Sequence, residues 1–224
     1  MDEYTIQPSP ARAAYAPSHR LNAYKNFKYN RLIAWNAFAG TTHANSTSGI
    51  TLWQLCGGTT LSGIVEPAKY VSNNLGIQFP GNYFVSGNQL KLHAHGYFTS
   101  LVDLTKLTFI STCSLPDGSE SLGLFAQPVV TGDDEWGAWK METTFSFFHG
   151  SSTDFSIRYV TGYGRLELML QATGKSVIYN LVPQLSDPSG TWANGIVLYA
   201  SMDFDTASAN NSITGLGFEV THFI

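Results

Sequence analysis

From Trp136 to Gly150 the chain reads W-G-A-W-K-M-E-T-T-F-S-F-F-H-G, a long alternation of apolar and polar positions. Trp139, Met141, Thr143, Phe145 and Phe147 fall on one face, and Lys140, Glu142, Thr144, Ser146 and Phe148 on the other. Successive Cβ atoms of a strand point to opposite sides of a sheet, so period two over aromatic and β-branched residues predicts a half-buried antiparallel strand. The apolar positions do not recur at i, i+3, i+4, which argues against an amphipathic helix. One strand cannot cover such a face. It needs ladder partners on both edges and an opposing apolar layer.

The same pattern recurs along the chain. Gln89 to Thr99 sets Leu90, Leu92, Ala94, Gly96 and Phe98 against Lys91, His93, His95, Tyr97 and Thr99. Leu107 to Cys113, Leu122 to Val130, Lys175 to Val182, Ile196 to Phe204 and Ile213 to Ile224 are further expected strands. Phe155 to Thr161 and Arg165 to Thr173 read as two strands with a turn at Gly162 and Gly164, and 183–191 as a loop opened by Pro183. Upstream, Ile50 to Cys56 reads as a strand ended by Gly57 and Gly58. Leu61 to Val65 reads as a short strand, and Leu75 to Val85 as an edge segment broken by Pro80. No helix is expected. Short alternating strands separated by turn signals predict an all-β, antiparallel sandwich or barrel.

Residues 1–45 break this pattern. Pro8, Pro10 and Pro17 interrupt any regular element, and no Asp or Glu occurs between Tyr4 and Val65. The basic residues Arg12, Arg20, Lys25, Lys28 and Arg31 are interleaved there with Tyr15, Tyr24, Phe27, Tyr29 and Trp35. Disordered tails are poor in aromatics. The expectation is an extended N-terminal arm, 1–45, that becomes ordered on a neighbouring subunit or folds back on its own domain, 46–224, after the polar connector Thr41 to Ser48. These arm residues are the candidate subunit contacts. Stacking and phosphate contacts to single-stranded nucleic acid are a weaker use of so thin a basic patch.

Composition sharpens the reading. Over 224 residues only 12% are charged while 13% are aromatic, so the surface rests on neutral polar groups suited to packing against copies of the same chain. The formal charge of −4 argues against an overall affinity for nucleic acid. Cys56 and Cys113 sit in apolar runs and read as reduced core thiols. Met1, Asp2 and Glu3 open the chain without an apolar leader, and no run reaches membrane-span length, so folding in the cytoplasm of the producing cell is expected.

Candidate chemistry is sparse. His93 and His95, two apart on one strand, share a face on which two imidazoles can converge on a metal ion. A cupin-like motif would carry a Glu four residues after the second His, where this chain has Thr99. Asp133, Asp134 and Glu135 lack the spread of oxygen ligands of a calcium cage and read as a solvated loop. No nucleophile elbow, phosphate loop or dinucleotide fingerprint is present. No cofactor and no catalytic residue are therefore expected. Trp53, Trp136, Trp139 and Trp192 are candidate sugar-stacking platforms if exposed, and core or interface anchors if not.

Gly87 to Phe98 (G-N-Q-L-K-L-H-A-H-G-Y-F), Trp139 to Gly150 (W-K-M-E-T-T-F-S-F-F-H-G) and Ile196 to Thr214 (I-V-L-Y-A-S-M-D-F-D-T-A-S-A-N-N-S-I-T) resemble, in that order, the jelly-roll modules of viral structural proteins, above all those of bacteriophage particles. The likeness spans roughly residues 85–224. It implies an antiparallel two-sheet jelly-roll sandwich with an N-terminal arm, non-enzymatic, trimeric or part of a symmetric shell, whose partners are copies of itself and other virion proteins. The expected location is the virion. The alternative expectation is a carbohydrate-binding or receptor-binding module, such as a spike knob or lectin, with an exposed Trp/Tyr cluster that takes a host glycan. A metal enzyme built on His93 and His95 is the third reading.

Overall fold

The computed structural model describes residues 31–36, 42–57, 64, 67–71, 76–100, 105–118, 121–130, 135–149, 157–171, 173–186 and 195–224. In chain order the elements are β1 (Arg31–Asn36), β2 (Thr42–Ala44), β3 (Ile50–Thr51), α1 (Leu52–Gly57), β4 (Lys69–Val71), β5 (Gly76–Phe79) and β6 (Gln89–Ser100). They continue with β7 (Thr105–Ser114), β8 (Ser121–Ala126), β9 (Val129–Val130), β10 (Glu135–His149), β11 (Ile157–Leu170), β12 (Lys175–Ser186), β13 (Ile196–Phe204) and β14 (Ser212–Phe223).

Among the described residues the strand pairings are antiparallel, and the main path, β1-β14-β6-β10-β11-β12-β8-β7-β13-β5-β4, curls into two layers. The first layer is β1-β14-β6-β10-β11-β12, with β2 also on β14. The second is β12-β8-β7-β13-β5-β4, with β3 on β13 and β9 on β7. β12 belongs to both. Lys175 to Leu181 pair with β11, and from Val182 onward the strand pairs with β8. The fold is thus an antiparallel two-sheet jelly-roll sandwich closed along one edge by a shared strand.

The alternation read from the sequence decides which residues lie between the layers. Trp139, Met141, Phe145 and Phe147 of β10 are buried, as are Leu90, Leu92, Ala94 and Phe98 of β6. They meet Phe109 of β7, whose ring centroid lies 5.6 Å from that of Trp139, and Leu122 and Leu124 of β8. A buried hydrogen bond between Ser111 Oγ and Thr143 Oγ1, 3.1 Å, joins the layers in the middle of this apolar packing. Satisfying both hydroxyls there avoids the desolvation cost of orphaned polar groups. Cys56 and Cys113 are free and buried, and burial pushes the Cys56 thiol up to about 12, which keeps it protonated and unreactive.

Three expectations are corrected. Ile50 to Cys56 is not a strand: after Thr51 the chain turns into α1. Thr51 Oγ1 accepts from the Gln54 backbone N–H at 3.2 Å while Gln54 Oε1 accepts from the Thr51 N–H at 3.1 Å, a reciprocal capping box that starts the helix. Gly162 and Gly164 are not a turn, because β11 runs straight through them. A Cβ on Gly164 would stand 2.8 Å from the Glu142 carbonyl oxygen, so glycine marks close approach of the neighbouring strand. Pro183 does not open a loop but lies inside β12 opposite Leu124, at the point where the strand leaves one sheet for the other. Trp53 and Trp139 are fully buried, so of their two readings they take that of core anchors.

Of the stretch read as an arm, residues 31–36 and 42–44 form β1 and β2, edge strands on β14 of the same chain, with Ile33 and Ala34 in the core. Arg12, Tyr15, Arg20, Tyr24, Lys25, Phe27, Lys28 and Tyr29 lie outside the described residues, as do Asp133, Asp134 and Trp192. Among the described residues, no helix is long and apolar enough to cross a membrane.

Candidate functional site

Antiparallel register converts sequence alternation into rows that cross the sheet. On the outer face of the first layer, Trp35, Glu219, His93, Glu142, Arg165 and Asn180 are successive Cα partners on β1, β14, β6, β10, β11 and β12. The next row along the strands contains Thr221, Lys91, Thr144 and Tyr163. Directly opposed residues of neighbouring strands interact through their side chains. The rows therefore make one continuous polar surface.

Its centre is Glu142. The Lys140 Nζ lies 2.8 Å from one carboxylate oxygen, and Arg165 Nε donates to the other at 2.7 Å. These two charged donors, Lys140 first, hold the Glu142 carboxyl down to about 2, against the small opposing cost of its partial burial. The group is ionised at every ordinary pH and is paired with both cations. Glu219 accepts from Thr221 Oγ1 at 2.8 Å, and the Lys91 ammonium lies 4.1 Å from the centre of the Phe223 ring. Cations and carboxylates are interspersed, so no single sign of charge dominates.

Two shallow hollows open on this face. The larger, about 560 Å³, lies over β14, β6, β10, β11 and β12 and is walled by Lys91, His93, Glu142, Tyr163, Arg165 and Asn180. Gly164 contributes only backbone to its floor. The other, about 500 Å³, lies toward the sheet edge between Leu32, Trp35, His95 and Leu216, and it shares His93 and Glu219 with the first. Both volumes suit a small polar molecule or part of a longer one. Tyr163 is 63% exposed and Trp35 42%, so each presents an aromatic ring to solvent.

Of the residues singled out from the sequence, His93 and His95 do share this face, with ring centroids 6.0 Å apart. His93 Nε2 is buried and has no hydrogen-bond partner among the described residues. Burial, with Lys140 next in weight, lowers the tendency of this imidazole to take up a proton. Among the described residues no group of three or more His, Cys, Asp or Glu is placed to hold a metal ion. Arg31 pairs at the register of His222 on the edge strand. Trp35 lies on the same face as the histidines, and Trp136 is exposed at the end of β10 farther from Tyr163. Glu142, Tyr163, Arg165 and Asn180 were not singled out from the sequence as a group. The signal was partly there, since Glu142 falls on the polar face of its strand, but the identity of its cross-strand neighbours is long-range information.

No protein-family model matches the chain, and no curated protein matches it. Solved structures similar to it include lectin I of Ulex europaeus, in complex with the methyl glycoside of α-L-fucose, at TM-score 0.35 and 9% identity over 87% of this chain and 98% of that one. The Lotus tetragonolobus seed lectin is similar at TM-score 0.31 and 7% identity, over 83% and 97% of the two chains. The CBM2 module of the evolved Dit of Lactobacillus casei BL23 phage J-1 is similar at TM-score 0.26 and 11% identity, over 85% and 96%. At scores this low the likenesses carry no argument about function, which rests on the chain's own surface.

Proposed function

We propose that the chain is a non-catalytic carbohydrate-binding module that holds its ligand on the outer face of the first sheet. The observation that carries this reading is the exposed Tyr163 ring beside the fixed Glu142–Arg165 pair and Asn180, in an open hollow of about 560 Å³. A sugar ring presents apolar C–H groups on one face and hydroxyls around its rim. An aromatic plate takes the first, while carboxylate, guanidinium and amide groups take the second. The charged groups are already paired with one another, so the face need not lose ordered charge to receive a neutral ligand. The sheet holds the constellation rigidly, which lowers the entropy cost of binding.

Screening the purified chain on an array of glycans is expected to give a defined set of hits, and Tyr163→Ala is expected to weaken them by about tenfold, the loss of one aromatic contact. An array without hits, or hits untouched by removing Tyr163, would overturn the reading. Tyr163 lies on the solvent side of its strand, so its removal leaves the core intact.

A different observation favours a second reading, a structural subunit of a virus particle that works by self-association and is made in the host cytoplasm. Tyr97 and Met169 both stand opposite Ala138, and with Trp136 they form an exposed apolar cluster around that small residue. Such residue types anchor protein interfaces. In this reading the cluster meets another copy of the chain or another virion protein. Native mass measurement is expected to give an oligomer that Trp136→Ser dissociates; a monomer at high concentration would sink it.

A further inference from the structure

The two hollows are not separate. His93 and Glu219 line both, and the row Trp35, Glu219, His93, Glu142, Arg165, Asn180 passes through both without a break in register. Neighbouring strands are about 4.8 Å apart, so a row across six of them extends about 24 Å, well beyond a single sugar ring. Near its two ends stand exposed aromatic rings, Trp35 on β1 and Tyr163 on β11, four strand spacings apart. Between the rings every position in the row is polar. His93 lines both hollows at the middle of the row.

Charge narrows the ligand further. Around the row Lys91, Lys140 and Arg165 are balanced by Glu142, Glu167 and Glu219, and Glu167 is itself bonded to Ser176 Oγ. A polyanionic glycan would meet Glu219 and Glu142 along its path, and a polycationic one Lys91 and Arg165. An uncharged chain meets neither penalty.

We propose that the two hollows form one groove that takes an extended, uncharged oligosaccharide laid across the strands, stacked on Trp35 at one end and Tyr163 at the other, over the polar row between them. This rests on the carbohydrate-binding reading above and adds the length, the charge and the direction of the ligand.

The test titrates the full chain with neutral hexose oligosaccharides of one linkage, from disaccharide to octasaccharide, together with the matching series carrying uronic acids. Linkages are chosen to cover α- and β-linked glucose, galactose and mannose, and binding is followed by calorimetry. The expected result is affinity that rises with chain length and then levels off, and weaker binding of the acidic series. Trp35→Ala is expected to cost the long ligands about tenfold while leaving the shortest unchanged, and Trp35→Phe to restore most of the loss. Tyr163→Ala weakens both. Binding that depends on Tyr163 but is indifferent to length and to Trp35 would overturn the groove and leave the single-hollow reading standing. No binding by any member of either series would overturn both. Preference for the acidic series would overturn the assignment of an uncharged ligand.

Discussion

His93 shows how one residue couples the face to stability. It faces Lys140, Glu142, His95 and Glu219, and burial is the largest influence on it, so the folded chain holds its imidazole neutral below the ordinary value of 6.5. The unfolded chain takes up that proton more readily. Stability therefore rises with pH through the window just below 6.5 and falls as the medium is acidified. The urea midpoint is expected to drop between about pH 7 and about pH 5, and His93→Gln is expected to flatten that drop. An equal drop in the variant would assign the acid sensitivity elsewhere. Glu142 works in a different window. Its carboxyl is held down to about 2, so its contribution is present above the unfolded value of 4.5 and is lost as pH falls through about 2. More than a third of that side chain is open to solvent, which keeps the contribution small.

At the scale of elements, α1 formed where the sequence carries a strand-like pattern. Thr51 and Gln54 cap it reciprocally, and Leu52, Trp53, Leu55 and Cys56 all bury, with the Trp53 ring 4.9 Å from Phe218 of β14. A six-residue helix has little stability of its own, so tertiary contact holds it. Thr51→Ala is expected to cost about 1 kcal/mol, read as a lower urea midpoint with an unchanged slope. A sharper test is Gly215, where a Cβ would come within 2.4 Å of Cys56 Sγ and 3.0 Å of Leu55 Cβ. Gly215→Val is expected to push α1 off β14 and move Trp53 emission toward that of a solvated indole. Unchanged emission in a folded variant would contradict this packing. Thr51-Leu52-Trp53-Gln54 carries the spacing of a capping box that the strand reading of Ile50 to Cys56 passed over, because an apolar run this short fits either helix or strand and only the surface it meets decides.

For the whole molecule, the shared strand is decisive. Because β12 contributes Lys175 to Leu181 to one sheet and Val182 to Ser186 to the other, neither layer can lose its edge without disturbing its partner. Far-UV and near-UV circular dichroism are expected to report one coincident urea transition. Two resolved transitions would show that the layers unfold separately. Pairings such as β1 with β14 and β6 with β14 join distant parts of the chain, so folding on the millisecond-to-second scale is expected. The sequence by itself determined the long alternating strands β6, β7, β10, β13 and β14 and their inward faces, because period-two alternation is a local property of each segment. β10 is the clearest case, predicted over Trp136 to Gly150 and found over Glu135–His149. It also marked His93, Trp35 and the polar side of β10 one by one. Only the tertiary structure decided that Trp35, Glu219, His93, Glu142, Arg165 and Asn180 stand in a single row, because register between strands far apart in the chain is set by how whole faces pack, and no local pattern encodes it.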